Sequence, residues 1–158
     1  MHIGIVYYSL TGTTEEFAGR IANSLIKERY NVEMIKIETD VRVTGPGQTF
    51  KVLNPPDCTK FDWVLFGGPV WAFRACPVTL EAIKNSRGLE NKKVLLFVTM
   101  GFPFKILGGS QAINKMTRAA QEHGATVQAG FIITRLFHDF KADMDKAVEA
   151  IVKMIKGA

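Results

Sequence analysis

The feature that most constrains this chain is an apolar run that breaks into a hydroxyl-rich loop and then becomes amphipathic, between Ile5 and Ile21. The run Ile5-Val6-Tyr7-Tyr8 predicts a buried strand, and the pattern from Thr14 predicts a helix. The first turn of a helix leaves backbone N–H groups without partners and attracts anions. Hydroxyls that can donate to a phosphate, and a glycine that lets the backbone approach closely, lie in the loop: Ser9, Thr11, Gly12, Thr13 and Thr14. The sequence therefore predicts a phosphate site between this strand and this helix.

The loop lacks the motifs of other phosphate sites. A triphosphate loop needs G-x-x-x-x-G-K-[ST] and a dinucleotide loop needs G-x-G-x-x-G, and neither pattern occurs here. With one glycine and no lysine, the loop suits a terminal phosphomonoester held by neutral donors. The chain also lacks the paired acids of a phospho-accepting receiver, the C-x-x-x-x-x-R motif of small phosphatases and the G-x-S-x-G elbow of hydrolases.

Strand and helix patterns alternate along the chain and predict an α/β fold. The predicted strands are short and rich in Val, Ile, Leu or Phe, as is typical of buried parallel strands: His2–Tyr8, Asn31–Ile37, Phe61–Gly67, Lys93–Thr99 and Thr126–Arg135. The predicted helices are Thr14–Glu28, Pro77–Ser86, Ser110–His123 and Lys141–Ile155. In the last helix the apolar residues share one face, which we interpret as core: Met144, Val148, Ile151, Val152 and Ile155.

The spacing Ile5-Val6-Tyr7-x-Ser9-x-x-Gly12-x-Thr14-x-x-x-Ala18-x-x-Ile21 resembles the FMN-binding signature of the flavodoxin family. The likeness continues through Phe66-Gly67-Gly68-Pro69-Val70-Trp71-Ala72-Phe73 and the order of the remaining elements. It implies a three-layer, doubly wound α/β sandwich with a five-stranded parallel sheet of order 2-1-3-4-5. In such a fold the ligand lies beyond the carboxyl ends of the strands, where three candidate loops are expected.

The resemblance implies that FMN is the cofactor and that no catalytic side chain is required. The cofactor-binding residues it implies are Ser9, Leu10, Thr11, Gly12, Thr13 and Thr14 in the first loop, Pro69, Val70, Trp71, Ala72 and Phe73 in the second, and Thr99, Met100, Gly101 and Phe102 in the third.

The second loop carries the expected ring-stacking residue. We expect Gly68 and Pro69 to turn the chain after the third strand, with Trp71 stacking on the flavin. The alternative is that Trp71 is a hydrophobic plug between the loop and the core.

The third loop departs from the family pattern. Many members place a tyrosine over the outer face of the ring, whereas the aromatic residues here are Phe102 and Phe104. Phenylalanine stacks but cannot donate a hydrogen bond. The alternative is that these rings pack against Ile106 and Leu107.

The long connection Glu38–Lys60 is a second departure. It contains Gly45-Pro46-Gly47 and Pro55-Pro56 and shows no helical periodicity, although the family usually places a helix in this crossover. It is either an irregular crossover or a flap that shapes the mouth of the flavin site.

Composition indicates one domain, residues 1–158, in which 47% of residues are hydrophobic. We expect a cytoplasmic protein, since no apolar run is long enough to span a membrane and no signal peptide opens the chain. Two cysteines, Cys58 and Cys76, form no disulfide framework, and no C-x-x-C or Cys/His cluster indicates a metal.

Charge separates this chain from the acidic electron carriers of the family, because its 20 Lys+Arg against 15 Asp+Glu give a net charge of +5. Arg74 and Lys105 flank the expected ring site and could attract an anionic substrate, or point to solvent. The other cations are scattered without a nucleic-acid motif, so nucleic acid is not an expected partner.

Two functions remain. The first is an FMN-binding redox protein that carries electrons between partner proteins, as a monomer or weak homodimer. The alternative is an FMN-containing reductase that takes hydride from NAD(P)H and reduces a quinone or a similar small acceptor.

Overall fold

The computed structural model describes all residues from Met1 to Ala158. Its sheet has five long parallel strands: β1 (His2–Tyr7), β2 (Asn31–Lys36), β3 (Trp63–Trp71), β5 (Lys93–Met100) and β6 (Thr126–Thr134). The short strand β4 (Arg74–Ala75) pairs antiparallel with the end of β3. The long strands lie in the order β2-β1-β3-β5-β6, so the predicted order 2-1-3-4-5 is confirmed.

Four helices cover the two faces of the sheet: α1 (Thr13–Lys27), α2 (Pro77–Lys84), α3 (Gly109–Glu122) and α4 (Phe140–Lys156). Helices α1 and α4 share one core with one sheet face, and α2 and α3 share a second core with the other. The apolar stripe predicted for the last helix does face the core, with Met144 and Ile151 fully buried and Val152 partly buried. No helix is long and apolar enough to cross a membrane.

The connection between β2 and β3 contains no helix. It folds back on itself, since Thr39 and Val52 form an antiparallel bridge and the N–H of Asp40 donates to the carbonyl of Lys51. Val43 and Cys58 are fully buried in the core that α2 and α3 cover. The connection is therefore a packed, irregular crossover that covers this face in place of the missing helix.

The end of β3 differs from the prediction. Gly68 and Pro69 do not turn the chain, because both remain in the ladder opposite Val98 and Thr99 of β5. The turn comes at Ala72 and Phe73, which have φ angles of 47° and 61° and join β3 to β4 as a tight hairpin. Two successive left-handed residues are typical of a hairpin turn whose twist matches its strands. The second loop is therefore a strand end plus a hairpin.

Candidate functional site

The three predicted loops meet at the carboxyl edge of the sheet around one cleft of about 190 Å³. Its walls come from the loop after β1 and the start of α1, from the end of β3, from the end of β5, and from the residue after β6: Thr11, Thr13, Pro69, Val70, Trp71, Thr99, Met100, Gly101 and Arg135. Because neighbouring parallel strands all end at this edge, residues far apart in sequence converge here. The structure thus brings eight of the predicted site residues to one cleft and adds an arginine.

The first loop presents free donors at the start of α1. Gly12 is the N-cap residue with φ 99°, and no side chain caps the helix. The hydroxyl of Ser9 accepts a hydrogen bond from the N–H of Gly12 at 3.1 Å, which shapes the loop. The N–H groups of the next residues, Thr13 to Glu15, have no acceptor within the chain. Uncapped first-turn amides are a favourable place for an anion.

Two residues predicted in this loop point inward. Thr14 is 2% exposed, and its Oγ1 lies 2.7 Å from Oγ1 of Thr99, which is also buried. Leu10 is half-buried and packs on the core beneath α2 and α3. The hydroxyl of Thr14 therefore ties the first loop to the end of β5, and only its amide remains free.

The second loop presents Trp71 at the cleft wall. Its half-buried ring meets Tyr8 edge-on, with centroids 5.8 Å apart and planes at 84°. The hydroxyl of Tyr8 donates to the carbonyl of Val43, so the crossover supports this pair from behind. Ala72 and Phe73 lie outside the cleft lining, exposed in the hairpin turn.

The third loop carries an exposed aromatic group next to the hairpin. Phe102 contacts Phe73 edge-on at 5.5 Å and Phe104 at 5.7 Å. Phe102 does not line the cleft itself, whereas Met100 and Gly101 do. The expected alternative, packing against Ile106 and Leu107, is limited by their own exposure of 71% and 44%.

Sequence reasoning missed Arg135. It follows the last residue of β6, and its Nη1 donates to Oγ1 of Thr13 at 3.3 Å across the cleft. The sequence did contain a signal for this residue. Arg135 is the last residue of the predicted fifth strand, and strands of this class of fold end at the edge where ligands bind.

Arg135 is the one charged side chain that lines the cleft. Beside it, the buried Tyr7 donates to Glu15 at 2.9 Å, and burial together with this carboxylate raises the pKa of Tyr7 to about 12. The hydrogen bonds from Tyr7 and Lys36 lower the pKa of Glu15. Burial raises the pKa of the Cys76 thiol to about 11, so it stays protonated at neutral pH. The lining of the cleft therefore offers hydroxyl groups, a tryptophan ring and one positive charge.

No cluster of three or more His, Cys, Asp or Glu side chains that could hold a metal ion is present. The donors around the cleft are backbone amides, hydroxyls, one guanidinium and an aromatic wall. This set fits a phosphate on the α1 amides and an aromatic ring beside Trp71.

Comparison with family models matches residues 4–156 of the chain to a family described as "Flavodoxin domain". A comparison with curated protein sequences gave no match.

Solved structures with the same fold include several flavodoxins. The chain is similar to oxidised Flavodoxin 2 of Bacillus cereus at 23% identity and a TM-score of 0.72, covering 99% of both chains. It is similar to oxidised Flavodoxin 1 of the same organism at 18% identity and a TM-score of 0.70, covering 100% of this chain and 99% of that one. A flavoprotein in complex with FMN from Lactobacillus acidophilus NCFM matches at 21% identity and a TM-score of 0.58, covering 92% and 97%.

Proposed function

The chain belongs to the flavodoxin family, and from this premise we propose that it binds FMN in the cleft and carries electrons between partner proteins. One observation carries the proposal: uncapped α1 amides, an aromatic wall and the ends of three strands converge on a single cleft that has no acid–base pair. When bound, FMN supplies the electron-transfer chemistry, and the protein supplies position and electrostatics.

Each part of the cofactor has a matching part of the cleft. The amides of Thr13 and Thr14 and the hydroxyls of Thr11 and Thr13 would hold the phosphate. Trp71 would cover one face of the ring, which excludes water and contributes roughly 0.5–1.5 kcal/mol beyond area burial. Backbone groups near Met100 and Gly101 would meet the polar edge of the ring. In this proposal Ser9 also shapes the loop, since its Oγ accepts from the N–H of Gly12 while its O–H stays free to donate to the phosphate.

The surface around the cleft supports a redox protein as the partner. Most of the large apolar side chains that are exposed in this molecule lie on three adjoining loops at the cleft, here called the apolar rim: Phe73, Phe102, Phe104, Ile106, Leu107, Leu136 and Phe137. A contiguous apolar surface of this kind marks an interaction site. It lies where a partner would approach the flavin edge.

Charge around the apolar rim selects the kind of partner. The exposed cations Arg74 and Lys105 lie on the same loops. The acid of these loops, Asp139, accepts a hydrogen bond from the N–H of Ala142 and so caps α4. We therefore propose a partner with acidic groups around an apolar centre. A cytoplasmic location is part of the proposal, since both cysteines are buried free thiols, as suits a reducing compartment.

The test is FMN loading followed by anaerobic reduction. We expect the apo-protein to bind FMN with quenching of flavin fluorescence, and the loaded protein to be bleached by dithionite but not by NADH or NADPH. Rapid bleaching by either nucleotide would replace the carrier with an NAD(P)H-dependent reductase, for which Arg74 and Lys105 would be the first residues to examine. Failure to load FMN would overturn both functions.

A further inference from the structure

Arg135 links two parts of the cleft that the chain separates by more than a hundred residues. Its backbone continues the ladder beyond β6, because the N–H of Arg135 donates to the carbonyl of Met100 at 2.9 Å and the N–H of Leu136 to that of Gly101 at 3.1 Å. Its guanidinium crosses to the first turn of α1 and donates to Oγ1 of Thr13. The side chain therefore starts on the third loop and ends on the first.

The guanidinium is held in place before any ligand arrives. Its central carbon lies 5.3 Å from the centroid of Phe140, the first residue of α4, in a cation–π contact. The hydrogen bond to Thr13 fixes the other side of the group. A cation with both its backbone and its head group positioned loses little freedom on binding an anion.

The guanidinium has no carboxylate partner, although acids lie in the same helical turn. Glu15 is bound by Tyr7 and pairs with Lys36 at 3.3 Å. Glu16 pairs with Arg20 at 3.1 Å. No acid lies within ion-pair distance of Arg135, whose polar contact is a neutral hydroxyl. The acids of α1 are thus neutralised by other partners, and the charge of Arg135 stays available to a ligand.

We propose that Arg135 is a charged ligand of the FMN phosphate, added to the neutral donors of the first loop. The inference rests on the proposed function, because it needs FMN in the cleft. It follows from three facts together: the guanidinium lines the cleft, it contacts a residue of the uncapped helix start, and it lacks an acid. A phosphomonoester carries up to two negative charges at neutral pH and matches the forked donors of an arginine.

The proposal predicts that loss of Arg135 lowers the affinity for FMN but not for riboflavin, which has the same ring but no phosphate. The experiment is a fluorescence titration of apo-protein with each flavin, using the wild type, Arg135→Met, Arg135→Lys and, as a matched control, Arg118→Met on the exposed side of α3. We expect Arg135→Met to weaken FMN binding about tenfold or more and to leave riboflavin binding within about twofold, as for a lost charge-assisted hydrogen bond. Arg135→Lys should recover part of the loss, and Arg118→Met should change neither affinity.

Salt gives an independent readout. Added NaCl should weaken FMN binding by the wild type more than by Arg135→Met, because screening acts on the charge pair. Riboflavin binding also reports whether each variant is folded. Equal losses for both flavins, unchanged FMN binding in Arg135→Met, or parallel salt dependences would each overturn the proposal for Arg135. If the wild type binds neither flavin, the proposed function fails instead.

Discussion

At the scale of single residues, the first loop divides its hydroxyls between structure and ligand. Thr14 is on the buried stripe of α1 that continues through Phe17, Ala18 and Ile21, and its hydroxyl is used on Thr99. The Oγ of Ser9 accepts from the N–H of Gly12, which leaves its O–H free to donate. The free donors are therefore the amides of the first turn, the hydroxyls of Thr11 and Thr13, which line the cleft, and the O–H of Ser9.

This division shows what the sequence could predict about the site. The position of the loop and its preference for an anion follow from the motif alone. The inward direction of Thr14 could also have been read from helical spacing, since it lies three and four residues before buried apolar positions. The contact between Arg135 and Thr13 joins residues 122 positions apart, so only the strand order brings them together.

A first prediction concerns Tyr7 beside the loop. Its pKa of about 12 in the folded chain lies above the ordinary value of 10.0. The protonated hydroxyl therefore stabilises the fold fully below pH 10, and this contribution is lost as the pH rises towards 12. We expect Tyr7→Phe to be less stable than the wild type near neutral pH by about 1 kcal/mol, the usual contribution of one hydrogen bond. The difference in the free energy of unfolding between the wild type and Tyr7→Phe should become smaller at alkaline pH.

The measurement is the free energy of unfolding in urea across the alkaline range, with tyrosinate absorbance recorded in parallel. Burial also raises the pKa of Tyr8, so the late part of the absorbance titration should lose the contribution of one tyrosine in Tyr7→Phe and should keep both contributions in the control Tyr30→Phe. A gap in stability that stays constant with pH would show that the Tyr7–Glu15 hydrogen bond does not set this titration.

At the scale of elements, β3 runs further than the sequence pattern indicates. The sequence predicts a turn at Gly68 and Pro69, but in the structure both stay in the strand, where Gly68 is buried like its neighbour Gly67. Gly67 lies against the ring of Phe97, and a Cβ at Gly67 would collide with that ring. The glycine is thus explained by a close approach inside the sheet. A one-dimensional pattern cannot distinguish this use from a turn, because the neighbour belongs to another strand.

In the long connection Glu38–Lys60, the local structure agrees with the sequence pattern, whereas the packing does not follow from it. Its lack of helical periodicity leaves open whether a helix forms between β2 and β3, and the structure has none there. The same sequence does not reveal that Val43 and Val52 are buried or that Val43 accepts a hydrogen bond from Tyr8, because these contacts depend on where the crossover passes. Elements could be predicted from local pattern, whereas the packing of the crossover could not.

A second prediction uses Gly67 and a matched glycine in α1. Gly67→Ala should destabilise the fold by about 1–3 kcal/mol, since the methyl group overpacks the sheet against Phe97. Gly19 lies in the middle of α1, where a methyl group added to the backbone would meet nothing within 4 Å. Gly19→Ala should therefore stabilise the fold by about 0.5–1 kcal/mol through helix propensity.

Both variants are compared with the wild type by urea denaturation, reading the midpoint at unchanged slope. The two substitutions add the same methyl group. Changes of opposite sign in the free energy of unfolding would therefore show that the surroundings of each glycine decide the effect. If Gly67→Ala were neutral, the close contact between β3 and β5 would have to relax without cost.

At the scale of the whole molecule, the exposed apolar surface is concentrated at one edge of the sheet. The carboxyl edge of the sheet carries the cleft, the apolar rim and the exposed cations Arg74 and Lys105. The opposite edge carries the last turns of α1 and α4, where Lys27 and Lys153 are exposed. The net charge of +5 predicts attraction to acidic partners in general, and the position of the cleft cations predicts where such a partner docks.

The last prediction tests that orientation with two probe proteins of opposite charge, an acidic ferredoxin and basic cytochrome c, each exchanging electrons with FMN-loaded protein in stopped flow. Electrostatic steering by Arg74 and Lys105 should make the rate constant for the acidic probe fall with added salt. The rate constant for cytochrome c should rise or stay level. Charge reversal by Arg74→Glu with Lys105→Glu should slow the acidic probe about tenfold or more at low salt. Lys27→Glu with Lys153→Glu changes the net charge equally at the opposite edge, and should slow it much less. If both pairs of substitutions act alike, net charge alone governs the encounter and the apolar rim is not the docking surface.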